Sequence, residues 1–569
     1  MGRFAAAAVL IACAPGSVLA QVAPDAGSIQ KDFERGRVPP APPRTPAEPL
    51  IEQPARPELR APDSVRFPVK GFRITRNTAF AEGELLPLLK EFVGKELSLV
   101  DLQRAADVIT RYYRDRGYFV ARAYIPAQEI REGVVEITVL EGRLDRVSVK
   151  SVGKTRLREQ VVESTLRKAL PPGGVIREED LERGLLLLND LPGIDVRSIL
   201  QPGETIGATN LTAELGEGPL LSGEVDFDTY GNKFSGANRL GGTLNLNDAS
   251  GYGDLMSIRL QAAQGASYAR IGYTIPVGSS GLKLGAAYTA TTYELCCEFS
   301  ALGARGDART ATLSALYPVL RARDASFYVG GAYDARHYFN ETVASTTSDK
   351  KANVVTLAGS GGFRDFAGGG GISNYTLAVS LGQLNLDGYA PDRALDDTTA
   401  RTNGGYTKAA YSFTRLQRLG QAVSLYGALS GQFASKNLDS SEKFILGGPF
   451  GVRGYPTGEA TGDEGLLASL ELRRDFGPRL QLAAFLDHGE IRLHRNEWPG
   501  WQGANTRITN RYGLSGYGFG LNWSQIGSFS VRASVAQRIG DNPGRDVNDN
   551  DSDGTKNRTR FWLQAIKDF

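Results

Sequence analysis

The segment GGPFGVRGYPTGEATGDEG, Gly447–Gly465, is a glycine-rich interruption in a region that otherwise alternates polar and apolar residues. AVSLYGALSGQFA (residues 422–434) precedes it and LLASLELRRDF (residues 466–476) follows it, and both have the period of two that is typical of a β-strand. The segment between them carries a single arginine, Arg453. The neighbours of this cation are Val452, Gly454 and Tyr455. Its function depends on the structure to which the two flanking strands belong.

Strand-like alternation extends from Leu220 to Phe569, and helical periodicity is lost over the same stretch. We count 16 alternating segments of about ten residues each, the length of a tilted strand that crosses a bilayer. AQGASY and FGPRLQ are short connections and GDNPGRDVNDNDSDGTKN is a long one, which predicts short turns on one side of the barrel and long loops on the other, as is typical of outer-membrane barrels. The terminal phenylalanine lies in phase with three apolar residues before it: Phe561, Leu563 and Ala565. The pattern predicts an all-β transmembrane barrel of 16 antiparallel strands over residues 220–569 and disfavours a soluble β-sandwich or propeller.

The N-terminus predicts export and an extended linker. MGRFAAAAVLIACAPGSVLAQ has a basic start, an apolar run and small residues before Gln21, so residues 1–20 are interpreted as a signal peptide; a lipoprotein site at Cys13 is the alternative, with a very short apolar run. Residues 21–66 are rich in proline and charge and cannot bury a core, which predicts an extended linker. Within them, GSIQKDFERGR (Gly27–Arg37) has the composition of a short polar helix.

Residues 67–219 alternate between helical and strand patterns. ELLPLLKEFVGK and SLVDLQRAADVITRYYRDRGY each have one apolar helical face, the second with Ser98 and Asp101 as a predicted N-cap, and two strand patterns follow them. The same order of patterns recurs after residue 143, with GVVEIT (133–138) and GATNLT (207–212) in equivalent positions. The sequence therefore predicts two α+β modules in tandem, residues 67–142 and 143–219.

The composition disfavours an enzyme or a metalloprotein. The formal net charge is +2 from 65 basic and 63 acidic residues, which indicates no polyanion and predicts no nucleic-acid partner. The three histidines accompany no nucleophile motif, and there is no phosphate-binding loop, so no catalytic residue, cofactor or metal is predicted. DNDSDG (Asp549–Gly554) begins like a calcium loop, but Arg560 stands at the twelfth position, so the segment is interpreted as a solvated extracellular loop. The adjacent Cys296 and Cys297 fall in another predicted extracellular loop and suggest no function.

Several stretches together resemble the transporters of two-partner secretion, the ShlB/FhaC/HecB type of the TpsB family, which carry periplasmic POTRA (polypeptide-transport-associated) modules. They are GYFVARAYIPAQEIREGVVEITVLEGRL in the first module, GANRLGGTLNLNDASGYGD and YARIGYTIPVG early in the barrel, GQFASKNLDSSEKFILGGPFGVRGY, and FLDHG at Phe485–Gly489. Each stretch alone is weak evidence, but this order, with two modules before and a terminal phenylalanine after, is specific.

The resemblance implies a barrel in which the long loop 447–465 folds back into the lumen, so that its arginine meets an aspartate of the inner wall. In this sequence the pair is Arg453 with Asp487. The implied loop-to-wall lock comprises Val452, Arg453, Gly454, Tyr455, Phe485, Asp487 and Gly489. The helix Gly27–Arg37 corresponds to a plug that occupies the pore at rest.

The implied function is secretion across the outer membrane of a Gram-negative bacterium. The POTRA modules would recognise an unfolded exoprotein, a TpsA-like adhesin or cytolysin, in the periplasm, and the barrel would conduct it to the cell surface. The implied partners are that exoprotein, outer-membrane lipid and the barrel-assembly machinery, which would read the terminal Phe569. An outer-membrane assembly or insertion factor of the same superfamily is the alternative function, and a passive porin would leave the two modules unexplained.

Overall fold

The computed structural model describes residues 23–35, 50–51, 65–503, 505–525 and 527–569. The predicted signal peptide and most of the predicted linker therefore lie outside the described residues. No helix within the described ranges has both the length and the apolar character that a membrane crossing needs. Helix α1 (Ala26–Arg35) and strand β1 (Leu50–Ile51) precede the first module.

The first module surrounds one apolar core with two small sheets and a long helix. Its elements are β2 (Arg66–Val69), β3 (Gly71–Thr75), α2 (Glu82–Leu85), a 3₁₀ helix (Leu86–Phe92), β4 (Lys95–Ser98), α3 (Leu99–Arg114), β5 (Arg122–Tyr124) and β6 (Val134–Leu140). Helix α3 begins at the predicted cap, where the Ser98 hydroxyl accepts from the Asp101 N–H and the Asp101 carboxylate accepts from the Ser98 N–H. Leu102, Ala105 and Ile109 of α3 are buried in the core, as their spacing predicts.

The second module repeats this plan. It comprises β7 (Arg143–Ser151), α4 (Glu159–Ala169), α5 (Glu178–Asn189), β8 (Ile194–Pro202) and β9 (Ala208–Glu217). Phe119 and Val120 of the first module pack against its core, so the two modules are in direct contact. Strand β1 of the tether pairs in parallel with β8 and so occupies one edge of this sheet, whose strand order is β1-β8-β9-β7.

The rest of the chain forms a closed barrel of antiparallel strands, which confirms the predicted number of 16. The strands are β10 (Leu221–Asp228), β11 (Arg239–Asn247), β12 (Leu255–Ala263), β13 (Ala266–Val277), β14 (Leu282–Glu294), β15 (Arg305–Arg321), β16 (Ala325–Glu341), β17 (Thr346–Asp365), β18 (Gly371–Asn385), β19 (Gly404–Arg418), β20 (Val423–Ala434), β23 (Glu464–Phe476), β24 (Leu480–Arg492), β25 (Arg511–Gln525), β26 (Phe529–Ile539) and β27 (Thr559–Asp568). The two short strands β21 (Phe444–Ile445) and β22 (Thr461–Gly462) lie in the loop between β20 and β23. Helix α6 (Ala390–Thr398) lies in the connection between β18 and β19.

The last residues of the chain close the barrel. Strand β27 pairs with β10, and the backbone of Phe569 exchanges two hydrogen bonds of 2.9 Å with the backbone of Gly223. Closure pairs the polar backbone groups of both edge strands, which hydrocarbon requires. Large apolar side chains alternate along the strands on the exposed outer face, among them Leu240, Leu260, Leu313, Leu357 and Phe519.

The two short connections lie at opposite ends of the barrel, so the prediction that they share one side is wrong. FGPRLQ joins β23 to β24 at the end where the modules lie, whereas AQGASY joins β12 to β13 at the far end, among the long loops. The backbone explains the tight far-end turn: Gly265 donates to the Ser235 carbonyl and its own carbonyl accepts from Glu294, which ties the turn to both neighbouring connections. The strands also exceed the predicted length, up to 20 residues in β17.

Module 2 is fastened to the module end of the barrel. Arg321 at the end of β15 donates two hydrogen bonds, of 2.8 and 2.9 Å, to the carboxylate of Asp190 at the end of α5, and both side chains are largely buried. Lys283 of β14 donates to the Asp190 carbonyl at 2.8 Å. A bidentate charged pair holds both partners in one orientation, so these contacts fix the end of α5 beneath the barrel rim.

Candidate functional site in the lumen of the barrel

The loop 435–463 between β20 and β23, here called the internal loop, turns back into the barrel. It is longer than the predicted segment at its start, and the last two predicted residues, Glu464 and Gly465, already belong to β23. Strands β21 and β22 pair within it as a small hairpin. The loop can lie against the wall because Gly454 has no side chain: a Cβ there would lie 2.8 Å from the backbone nitrogen of Arg538.

Arg453 lies at the tip of the internal loop and is bound on all sides by the inner wall. Its Nε and Nη2 donate to the two carboxylate oxygens of Asp487 at 2.8 and 2.7 Å, and its backbone N–H donates to the same carboxylate at 3.1 Å. Nη1 donates to Glu471 at 2.7 Å, and Nη2 also donates to the Ser469 hydroxyl at 3.1 Å. The guanidinium lies 3.4 Å above the ring centre of Phe485. The side chain of Arg453 is 15% exposed and that of Asp487 is 0% exposed, so this is a buried pair with nearly all its polar atoms satisfied.

All seven residues of the predicted loop-to-wall lock lie together. Val452 and Tyr455, on either side of the arginine, are fully buried in an apolar cluster with wall residues such as Leu467, Ile491 and Leu514. Gly489 follows Asp487 on β24, and a Cβ there would collide with Leu446 of the loop. The period of two along β24 places Phe485, Asp487 and Gly489 on the inner face.

Trp562 is a further wall residue at the loop tip. Its indole Nε1 donates to the carbonyl of Arg453 at 2.9 Å. The ring also makes an edge contact with Tyr230, whose own ring contacts Phe450 of the loop. Trp562 was not among the predicted site residues, although its inward phase on β27 is visible in the alternation RFWLQAIKDF.

In the segment DNDSDG, Asp551 and Asp553 are buried whereas Asp549 is exposed, so the prediction of a solvated loop is wrong for the two buried aspartates. Asp551 is fully buried and accepts from Arg538 at 2.9 Å and from Arg560 at 3.1 Å. Arg560, which excluded a calcium loop in the sequence, is thus the counter-ion of the aspartates. The signal that could have revealed this is the inward phase of both arginines on β26 and β27. No group of three histidine, cysteine or acidic side chains suited to a metal ion occurs in the part of the chain that the structure describes.

This charged cluster joins a second point of the internal loop to the far-end loops. Glu459 of the internal loop is buried and accepts from the backbone N–H of Ser552 at 2.7 Å. Burial raises the pKa of Glu459 to about 7. The protonated form is therefore favoured in the folded state, and the folded state loses stability as the pH rises from the ordinary range of a glutamate through about 7, because the buried carboxyl then ionises.

Helix α1 also lies in the lumen, against β14, β15, β16 and the internal loop. Compared with the predicted Gly27–Arg37, it begins one residue earlier, and its predicted last two residues lie outside the described ranges. Its apolar face, Ala26, Ile29 and Phe33, joins a buried cluster with wall residues such as Tyr268 and Tyr338. This face explains why so polar a segment binds here, since burial of Ile29 and Phe33 contributes about 1.5–3 kcal/mol each.

The helix and the internal loop are packed directly against each other. A Cβ at Gly27 would lie 2.7 Å from the Cβ of Ser441, so glycine permits the close approach. Arg35 donates to the Ile445 carbonyl at 2.8 Å, and Lys31 donates to the Lys443 carbonyl. These contacts join the two luminal elements into one packed unit.

The buried cations of the wall have carboxylate partners on the internal loop itself. Lys350 of β17 is paired with Asp439 of the loop at 2.6 Å as well as with Asp25 at the start of the helix, at 2.9 Å. Arg336 and Lys408 are both paired with Glu442 of the loop. Loss of the helix would therefore leave each of these wall cations with a loop carboxylate.

Comparisons with known proteins agree with this architecture. The sequence profile for the POTRA domain, ShlB-type, matches residues 67–142, and that for the haemolysin secretion/activation protein ShlB/FhaC/HecB matches residues 207–523. The chain is 28% identical over 565 residues to the heme/hemopexin transporter protein HuxB of Haemophilus influenzae (97% of this chain, 96% of the relative). It is 25% identical over 416 residues to the outer membrane transporter CdiB of Dickeya dadantii (70% and 71%).

Among solved structures, CdiB from Escherichia coli has the same fold, with a TM-score of 0.68 at 20% identity (92% of this chain, 94% of that chain). BamA from Haemophilus ducreyi lacking POTRA domains 1–3 has a TM-score of 0.53 at 15% identity (88% and 100%).

The two acidic partners of Arg453 are expected to differ in their effect on barrel stability. Asp487→Asn removes a fully buried charge that accepts three donors from Arg453, and loss of one partner of a buried pair costs about 3–5 kcal/mol. Glu471→Gln should lower stability less, because Arg453 keeps Asp487. The measurement is the temperature at which the folded barrel converts to the slower-migrating band on a denaturing gel.

Asp549→Asn is the control, because the Asp549 side chain is exposed and paired only with the exposed Arg507. It should leave the conversion temperature unchanged. Equal shifts for Asp487→Asn and Glu471→Gln would contradict the dominant role assigned to Asp487.

Proposed function

Since the chain belongs to the haemolysin secretion/activation family ShlB/FhaC/HecB and is an outer-membrane transporter with a periplasmic POTRA region, we propose that it exports one unfolded exoprotein partner through its own barrel. The observation that carries the proposal is the content of the lumen. Two segments of the chain, α1 and the internal loop, lie in it and pack against each other. A pore that its own chain obstructs needs a partner that displaces the obstruction.

The cargo proposed is a large secreted protein of the TpsA-like adhesin or cytolysin class. The matched relatives carry the names heme/hemopexin transporter and outer membrane transporter. No nucleotide-binding loop occurs in the sequence, so we assign the driving force to folding of the exported chain outside the cell.

The modules would receive the cargo as an added strand. Extended chains bind sheet edges through backbone hydrogen bonds. The β8 edge of the second module already accepts such a strand, since β1 of the tether pairs there through Leu50 and Ile51 with Ile199 and Leu200. A cargo segment bound at this edge would replace β1 and loosen the tether of α1.

The charges of the lumen favour an exchangeable helix. When α1 leaves, Lys350 keeps Asp439, and Arg336 and Lys408 keep Glu442, so each of these three cations keeps a carboxylate partner. The helix is then held by the apolar burial of Ile29 and Phe33, by the pair of Asp25 with Lys350 and by a few hydrogen bonds. A restraint of this size is reversible, as transport requires.

A passive porin is less compatible with the filled lumen. An assembly or insertion factor remains the second candidate, because BamA has a similar fold. The tethered luminal helix favours the transporter, since an inserting factor would act on its substrate at the membrane rather than through the pore.

The first prediction concerns secretion. Arg453→Ala or Asp487→Ala should leave an inserted, heat-modifiable barrel but reduce secretion at least tenfold, because the internal loop loses its anchored position. The exchange Arg453→Asp with Asp487→Arg should restore part of it. The measurement is exoprotein in the medium relative to transporter in the outer membrane, with the exposed Arg507→Ala as the control. Normal secretion by both single variants would contradict the role of the pair.

The second prediction concerns the helix as a plug. Deletion of residues 21–40 should raise ionic conductance in planar bilayers severalfold, because the lumen loses α1. The double substitution Ile29→Asp and Phe33→Asp should act like the deletion, since charges cannot enter the apolar seat. Barrel insertion, followed by heat modifiability, should be unchanged. A conductance equal to that of the full chain would remove the plug assignment.

The third prediction concerns the modules. A fragment of residues 65–219 should bind the unfolded N-terminal region of the cognate exoprotein and not its folded form, because only an extended chain can pair with a sheet edge. Ile199→Pro in β8 should weaken binding, since proline removes a backbone donor from that edge. Equal binding of the folded and unfolded forms in isothermal titration would contradict this mode of recognition.

A further inference from the structure

The connection 295–304 between β14 and β15 carries an unusual pair of residues. Cys296 and Cys297, adjacent in the chain and the only cysteines after the predicted signal peptide, are joined as a disulfide. The connection lies at the far end of the barrel, on the extracellular side. Cys297 is exposed and Cys296 is half-buried, so a reagent in the medium can reach the pair.

Residues on both sides of the disulfide pack in the cluster that buries the apolar face of helix α1. Leu295 and Phe299 belong to the same buried cluster as Ala26, Ile29 and Phe33 of the helix. Phe299 is only 1% exposed, and its ring makes an edge contact with Phe234 at 4.8 Å between ring centres. The connection therefore covers the apolar cluster in which the helix is buried.

The disulfide fixes the backbone turn that positions Phe299 in this cluster. Cys297 has a φ of 63°, in the left-handed region that residues other than glycine rarely adopt. The N–H of Cys296 donates to the Phe234 carbonyl at 2.9 Å, and the N–H of Phe299 donates to the Cys296 carbonyl at 3.2 Å. A ring that includes the peptide bond between the two cysteines restricts this backbone to a narrow range. Without the S–S bond, both residues regain the extended and right-handed regions, and the 3₁₀ turn (Cys297–Leu302) loses its fixed start.

We propose that the Cys296–Cys297 disulfide is a redox-sensitive crosslink that keeps the connection 295–304 packed over helix α1. An external dithiol supplies two electrons and two protons: the S–S bond breaks, each Sγ gains a hydrogen, and the dithiol leaves as its own disulfide. The turn then relaxes, Phe299 withdraws from the cluster, and the helix is released more readily. The claim that the disulfide regulates the pore rests on the proposed function of α1 as the plug. The claim that it determines how firmly the helix is held does not depend on that function.

The first measurement is hydrogen exchange in the full-length protein. Reduction with dithiothreitol should increase amide exchange in residues 26–35 at least tenfold, while exchange in β24, remote from the connection, stays constant. A trivalent arsenical that bridges adjacent thiols should label the reduced protein and not the oxidised one. The variant Cys296→Ala with Cys297→Ala should show the faster exchange with or without dithiothreitol. Unchanged exchange in residues 26–35 after complete labelling would overturn the inference.

The second measurement is conductance in planar bilayers. Dithiothreitol on the side of the long loops should raise the conductance of the full chain severalfold and leave that of the 21–40 deletion unchanged. If the deletion itself does not raise conductance, the plug assignment fails, and the exchange experiment alone decides whether the disulfide holds the helix in place. If the deletion raises conductance but dithiothreitol does not, the disulfide does not regulate the pore. The proposal then fails, while the plug assignment stands.

Discussion

The contact between Arg453 and Asp487 is the constraint on which the lumen depends. A guanidinium and a carboxylate that are both withdrawn from water are stable there only as a pair with saturated hydrogen bonds, and this pair meets that condition with 2.7 and 2.8 Å contacts. The pair holds the tip of the internal loop on β24, and from this point the loop presents its carboxylates to the cations of the wall. The seat of helix α1 is built partly from the loop, so the position of the helix depends on the same pair.

Two kinds of contact hold the obstruction of the pore, and they differ in how easily they are exchanged. The internal loop is anchored by buried charge, which is costly to separate. The helix is held by an apolar face of modest size and by the pair of Asp25 with Lys350, and its departure leaves Lys350, Arg336 and Lys408 with loop carboxylates. This difference suggests an order of events in which the helix leaves first. The tether strand β1 at the edge of the second module gives the periplasmic cargo a means to start that departure.

Much of this architecture could be predicted from the sequence, because it depends on local periodicity. Alternation with a period of two gave the number of strands, and one apolar helical face gave α3 with its Ser98 cap. The pair of Arg453 with Asp487 came from resemblance to a family, since no local pattern joins residues 34 positions apart. The burial of Asp551 and Asp553 and the pairing of β1 with β8 were not predictable in this way. Both depend on side chains and edges that the closed barrel and the folded module bring together from distant parts of the chain.

The central claim is that the helix and the internal loop must separate for cargo to pass. A disulfide between Gly27→Cys and Ser441→Cys, in a Cys296→Ala, Cys297→Ala background, tests it most directly, because the Cβ positions lie 2.7 Å apart and need to move by only about 1 Å to reach disulfide geometry. The measurement is exoprotein released into the medium before and after a reductant. The account predicts no release while the crosslink is intact and recovery on reduction. Secretion at the rate of the uncrosslinked background, with the crosslink shown to be complete, would contradict it.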